Sequence, residues 1–318
     1  MSGRRVVVTG IGIASPLGND LPTAVAALRE GRHGIVPMPE WAEVQGLSTR
    51  LAGVAKDVPF DGYPRKKTRS MGRVALLATY ATERALAEAG IGPDLRSLPD
   101  IGLAYGSTHG SSSAQEEFCR ALFTRNGMRG IPSTSYLKIM SNTCVVNLAN
   151  FFGIQGRVIS TCSACTSSSN AIGYGFEAIR AGQLDVMVCG GAEEMHFTHA
   201  VVFDILYATS RHFNDRPGEA SRPFDEGRDG LVVAEGAARD PGGRCTWSTS
   251  RRGCRTPPRA RSASPRRRRR SSPTDSRRGS PRSRSRWRGW RWCRPSRSRS
   301  RGRGCRRTAP GSRRRCCS

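Results

Sequence analysis

The segment Thr161-Cys162-Ser163-Ala164-Cys165-Thr166-Ser167-Ser168-Ser169 sets two thiols between a β-branched run and a stretch of small residues. A cysteine where a strand turns into a helix faces the unsatisfied N–H groups of the first turn and roughly half a positive charge. That field favours thiolate, the nucleophilic form, so the junction could carry covalent catalysis. The small side chains that follow would let such a helix pack closely against a sheet. The same residues also read as an inert buried cysteine. Cys162 and Cys165 together read as a redox dithiol or half of a zinc site, but no second C-x-x-C and no histidine pair at zinc spacing accompanies them. His196 and His199 stand three apart beside Glu193 and Glu194. This is not H-E-x-x-H, and they read as loop or pocket histidines.

The elements that must hold this junction alternate between strand and helix. Arg5 to Thr9 is a β-branched run ended by Gly10-Ile11-Gly12, a buried strand entering a tight turn. A helix follows, capped by Asn19 or Asp20, with Pro22 in its first turn and Gly31 as its stop. Residues 32–68 carry Pro37, Pro39, Pro59 and Pro64 with weak periodicity and predict irregular surface structure. Residues 69–89 give the longest helical pattern, with Val74, Leu77, Ala78, Ala81, Ala85 and Leu86 on one face and Gly90 as the stop. Strands are predicted at Ile101–Tyr105, Val158–Ser160 and Asp185–Cys189, and helices near 112–123, 145–152 and 165–180. Such alternation predicts the α/β class with a mainly parallel sheet covered by helices.

Charge and hydropathy divide the chain. Of 52 basic and 25 acidic residues, 29 arginines and two acids, Asp240 and Asp275, lie after Ala238, so residues 1–238 are net neutral and the +27 belongs to the remainder. Residues 239–318 contain no Val, Ile, Leu, Met, Phe or Tyr. Ordering a backbone costs about 1–2 kcal/mol per residue, and four tryptophans cannot offset that, so this Arg/Ser-rich tail is expected to be disordered. Residues 1–238 are expected to form one domain. Arg4-Arg5 is followed only by Val6-Val7-Val8, too short for a secretory apolar region, and no run reaches the about 18 apolar residues of a membrane helix. The cysteines form no even framework, and a cytoplasmic setting is expected.

Taken in order, the landmarks resemble those of a known family. Arg5-Val6-Val7-Val8-Thr9-Gly10-Ile11-Gly12 leads to Ser15-Pro16-Leu17-Gly18, then Ala164-Cys165-Thr166-Ser167 and Gly190-Gly191-Ala192-Glu193. Ser221-Arg222-Pro223-Phe224-Asp225, Arg228-Asp229-Gly230 and Glu235-Gly236-Ala237 complete the set. Over residues 3–237 the chain resembles the β-ketoacyl-acyl-carrier-protein synthases, condensing enzymes with a thiolase-like layered α-β-α core. The resemblance implies that Cys165 accepts an acyl chain from a carrier-protein thioester and that Cys162 is a neighbour without that role. Malonyl carrier protein would then lose carbon dioxide, and its carbanion would attack the acyl-cysteine in fatty acid or polyketide and polyene synthesis. It implies no cofactor, and a homodimer or heterodimer in the complete family member. His109 falls where relatives carry an apolar residue gating the acyl pocket, which points to a shorter, more polar or conjugated acyl group. Phe203 is implied as a second substrate-binding residue. Arg65, Lys66, Lys67 and Arg69 match a basic stretch that meets the acidic carrier protein; an ordinary solvated surface is the other reading.

The resemblance stops near Ala238. Relatives carry a second half with two catalytic histidines, a lysine motif and a glycine-rich loop, whereas here no histidine follows His212 and no lysine occurs after Ala238. The expectation is a chain that does not condense, because losing interacting catalytic groups is costly. The tail's composition is that of a GC-rich coding sequence read out of frame. Two alternatives stand beside this. One is an arginine-rich nucleic-acid-binding protein with Trp287, Trp290 and Trp292 for stacking, the charge alone sufficing for non-specific binding. The other is a non-catalytic partner subunit of a condensing heterodimer, against which the retained Cys165 argues. An apolar face left without its partner half would favour aggregation.

Overall fold

A computed structural model describes residues 4–98, 100–238 and 244–249. Strand β1 (Val6–Gly12) leads to helix α1 (Leu21–Arg29), whose first turn is closed by the Asp20 carboxylate accepting from Thr23 N at 2.8 Å. Two short strands follow, β2 (Ile35–Pro37) and β3 (Leu51–Gly53), then α2 (Arg65–Thr68) and the long α3 (Arg73–Glu88). Strand β4 (Ile101–Gly106) is followed by α4 (Ser112–Arg125), α5 (Ser135–Ile139) and α6 (Thr143–Phe152). Next come β5 (Val158–Thr161), α7 (Ser167–Arg180), β6 (Val186–Glu193), α8 (Phe197–Ile205) and α9 (Pro217–Ala220). Strands β7 (Val233–Ala234), β8 (Gly236–Ala238) and β9 (Arg244–Thr249) close the described chain.

The main sheet runs β1-β9-β6-β4-β5, with β8 paired to the end of β6. β5 and β6 flank β4 in parallel, as the strand-helix alternation predicts, but β1 with β9, β9 with β6 and β8 with β6 pair antiparallel, so the sheet is mixed where a mainly parallel one is expected. β4 shows why the layers form. All six of its residues are buried. Ile101, Leu103 and Tyr105 point into a core shared with Leu77 and Ala81 of α3 and Leu148 and Phe152 of α6. Ala104 points the other way, to Ala171, Ala178 and Ile179 of α7. Alternate side chains thus serve opposite faces, and helices cover both. Gly12 lets α3 lie almost on β1, since a Cβ there would sit 1.9 Å from the Ala81 carbonyl oxygen.

Two further expectations change here. Residues 32–68 are not irregular surface: β2 pairs antiparallel with β3, β3 pairs parallel with β7, and Trp41, Leu47, Leu51 and Ala52 are buried. Three-residue strands carry no readable period, and their order comes from burial and distant pairing. The structure also describes a strand, Arg244–Thr249, where the sequence predicts none. β1 and β6 each present a row of backbone donors and acceptors to the space between them, and any chain lying there satisfies both rows. The remainder of the tail, with its expected disorder, lies outside the described residues. Among the described residues no helix is long and apolar enough to cross a membrane.

Candidate functional site

The C-terminal ends of β4, β5 and β6 open on one side of the sheet, the usual place for a site in parallel α/β architecture. There an open cavity of about 380 Å³ is lined by Gly106 and Thr108 after β4, Ala164 and Cys165 after β5, and Gly191 to Glu193 at the end of β6. Ala14, Ser15 and the Ala234–Gly236 corner complete it, together with Ser167, Ser168 and Ser169 of α7. Segments distant in sequence, most of them singled out one by one as landmarks, thus meet at one cavity beside Cys165.

Cys165 is exposed in the turn that joins β5 to α7. Ala164 before it holds φ 49, a left-handed conformation that a residue with a Cβ adopts at a cost of about 1 kcal/mol or more. The turn is over-determined. Ser167 donates from its backbone N–H and its hydroxyl to the Ala164 carbonyl at 3.0 and 2.7 Å, and its Oγ accepts from Ser163 N at 2.9 Å. Thr166 Oγ1 donates to the Ser163 carbonyl at 2.7 Å. Held this way, the thiol sits on the cavity at the start of the helix. Cys162 is also exposed, and its Sγ donates to the Thr108 carbonyl at 3.8 Å.

Glu193 anchors the loop after β4. Its carboxylate accepts from the backbone N–H of Thr108, from His109 N at 3.4 Å and from Ser107 Oγ at 3.4 Å, and His109 Nδ1 lies 3.8 Å from it. The carboxylate raises the pKa of the His109 imidazole. His109 stacks on His199 with ring centroids 4.2 Å apart. His199 is pushed down, by burial first and then by His109, and its Nε2 bonds Ser112 Oγ at 2.7 Å. His196 caps α8 and bonds Glu116 at 2.9 Å, so the two histidines read from sequence as loop or pocket residues both have structural partners.

The remaining candidates lie apart from the thiol. His109 and Phe203 are not among the residues lining the Cys165 cavity. Phe203 packs against the cluster of Trp41, Leu47, Ala52 and Val233, one helical turn from His199 on the same face of α8. Arg65, Lys66 and Lys67 form the exposed α2, and Arg69 caps its end. Lys67 is engaged, its Nζ donating to the Phe151 carbonyl at 3.0 Å and lying 5.0 Å from that ring's centroid. What sequence reasoning missed is Thr108 and the anchoring role of Glu193. The only available signal was the Gly-Gly-Ala-Glu landmark, which names Glu193 but not its partners.

A family model described as "Beta-ketoacyl synthase, N-terminal domain" matches residues 3–239. The 3-oxoacyl-[acyl-carrier-protein] synthase 1 of Haemophilus influenzae is 36% identical over 235 residues, covering 74% of this chain and 58% of that protein. A crystal structure of a beta-ketoacyl synthase from Burkholderia phymatum STM815 matches with a TM-score of 0.72 and 42% identity, covering 78% of this chain and 59% of its own. A type II PKS acyl-carrier protein in complex with its ketosynthase bound to the hexaketide matches with a TM-score of 0.63 and 26% identity, covering 78% and 58%. The chain spans less than three fifths of the length of each.

Proposed function

Because the chain belongs to the β-ketoacyl synthase family through residues 3–239, we propose that Cys165 is the acyl-accepting nucleophile of a decarboxylative condensation. The supporting observation is the convergence of Ser15, Cys165, Gly191 to Glu193 and Glu235 on one cavity at the start of α7. The Cys165 thiolate attacks the carbonyl carbon of an acyl thioester, forming a new C–S bond. The carrier's sulfur leaves and takes a proton. Malonyl thioester then loses carbon dioxide, and the carbanion so formed attacks the acyl-cysteine carbonyl. The C–S bond to Cys165 breaks, freeing the thiolate and a β-ketoacyl thioester two carbons longer. Neither the fold nor the relatives supports inactivity of the chain, a nucleic-acid-binding role or a non-catalytic partner subunit, and these readings are not retained.

The partner in this proposal is an acyl carrier protein, as in the type II complex that this fold resembles. Arg65, Lys66 and Arg69 are exposed and form no ion pair among the described residues, which leaves their charge to an acidic partner. Lys67 contributes less, since the Phe151 carbonyl holds it. We place the acyl chain beyond the Cys165 cavity, along the stacked His109 and His199 and then Phe203 one helical turn on. The proposed setting is the cytoplasm, which the reduced thiols of Cys119, Cys162 and Cys165 fit, and the proposed assembly is a dimer.

The test is covalent. Incubation with an acyl-carrier-protein thioester and mass spectrometry of the tryptic peptides should give an acyl adduct on Cys165, absent in Cys165→Ala. An adduct on Cys162 instead, or none on a folded chain, overturns the assignment.

A further inference from the structure

The Cys165 turn is tied from outside as well as from within. Every polar group of Thr108 is committed to the site. Its backbone N–H donates to the Glu193 carboxylate, its hydroxyl donates to the Ala164 carbonyl at 3.2 Å, and its carbonyl accepts from Cys162 Sγ at 3.8 Å. Two of these bonds reach the β5–α7 turn, one at Ala164, the residue preceding Cys165, and one at Cys162, and the third ends on a side chain of β6. Thr108 therefore joins all three strand ends that surround the cavity, and it lines the cavity itself.

We propose that Thr108 is a positioning residue for Cys165, its hydroxyl fixing the Ala164 peptide and thereby the direction in which the thiol enters the cavity. The proposal rests on the reading of Cys165 as the nucleophile. Its physical basis is the left-handed Ala164, at φ 49. That conformation persists only while its surroundings over-determine it. The bonds from Ser167 come from the turn itself and would travel with it. The Thr108 hydroxyl refers the Ala164 carbonyl to a separate loop, one that Glu193 keeps in place, and the longer bond from Cys162 Sγ to the Thr108 carbonyl is the other contact of the turn with that loop. Without the hydroxyl the Ala164 carbonyl keeps only its bonds from Ser167, the turn can shift against the loop after β4, and a small misplacement of a reacting atom costs rate steeply.

The experiment is alkylation of the full chain by iodoacetamide across a pH series, read peptide by peptide by mass spectrometry, beside thermal unfolding of each variant. Thr108→Val keeps the shape and removes the hydroxyl. It is expected to slow Cys165 labelling about fivefold, the worth of one neutral hydrogen bond, with Cys119 labelling unchanged. Thr108→Ser restores the rate. Should the valine variant lose its native unfolding transition, Thr108→Ala removes the same hydroxyl without the branched bulk. A folded variant lacking the hydroxyl but labelling Cys165 with the wild-type rate and pH profile overturns the positioning role and leaves the nucleophile reading intact. Slow labelling that serine does not rescue also overturns it, because the hydroxyl is then not the cause. A wild-type Cys165 that reacts no faster than the exposed Cys162 overturns both readings.

Discussion

Arg73 grips Glu235 with two nitrogens, Nε to Oε2 at 2.8 Å and Nη2 to Oε1 at 2.5 Å, and the carboxylate so held has no exposed side-chain surface. Glu235 spends its remaining acceptor capacity on Ala55 N at 2.9 Å and Met195 N at 3.1 Å. The guanidinium also donates to the Ala55 carbonyl at 3.0 Å. One buried charge therefore fastens the β7–β8 corner, a wall of the cavity, to α3 and to the segment leading into α8.

Removing one partner of such a pair strands the other. Arg73→Ala is expected to cost about 3 kcal/mol of stability, because Glu235 would keep its burial and lose its counter-charge. Arg73→Lys should recover only part of this, since an ammonium cannot reproduce the two-pronged contact. Urea unfolding of the three proteins is the measurement. A loss below about 1 kcal/mol for the alanine variant, the range of an exposed ion pair, would show that the contact does not secure the corner.

The stacked imidazoles make opposite contributions to the pH dependence of folding. His109 has its pKa raised by Glu193, so its contribution is complete below the unfolded value and is lost as pH rises through the folded one. His199 is lowered by burial and by His109, so its contribution is complete above the unfolded value and is lost as pH falls through the folded one. In a proton NMR titration, Glu193→Gln should lower the His109 midpoint, and His109→Ala should raise that of His199. Movement of either midpoint the other way would refute the assigned causes.

Much of this arrangement could be read before any coordinates. The Thr161–Ser169 junction declared itself by a change from β-branched to small residues, α1 by its cap and glycine stop, and α3 by apolar spacing and a glycine stop. Each of these is a local signal. The Thr108–Ala164 bond is not, because it joins residues 56 apart that meet only through the parallel register of β4 and β5, where Gly106 stands opposite Thr161. β3 failed to show for a related reason, since three buried residues between prolines have no period. β9 is the extreme case. Ala238 pairs with Gly191 and Cys245 with Cys189, partners two positions apart on β6 and seven apart in the chain. The lane between β1 and β6 is set by those strands, and nothing in the composition of residues 239–249 announces which of them occupy it.

If α2 is the docking surface, its charges should matter unequally. Arg65→Glu, Lys66→Glu and Arg69→Glu together should weaken binding of an acyl carrier protein about tenfold at low salt, with the difference shrinking as salt screens it. Lys67→Ala alone should have a smaller effect, because that ammonium already serves the Phe151 carbonyl. Calorimetric titration at two salt concentrations decides this. Equal affinity of the triple variant and the wild type at low salt would return α2 to the status of a solvated surface.

Two glycines near Cys165 predict opposite outcomes for the same chemical change. A Cβ on Gly106 would lie 2.7 to 2.8 Å from the carbonyl carbon, the oxygen and the Cβ of Ser167, and backbone atoms at that distance cannot be turned aside as a long side chain can. Gly106→Ala must push the start of α7 off β4, at about 1–3 kcal/mol by the usual cost of overpacking. The thiol two residues before Ser167 moves with it, so acylation of Cys165 should slow as well. Gly173 lies in the interior of the same helix, and a Cβ there would meet nothing within 4 Å. Gly173→Ala should therefore stabilise by up to about 1 kcal/mol through helix propensity and leave acylation unchanged. Thermal unfolding and the Cys165 acylation rate, measured on both variants, separate close packing of α7 on β4 from a general tolerance of this helix for small residues. Were Gly106→Ala to behave like Gly173→Ala, the placement of the thiol by that packing would be wrong.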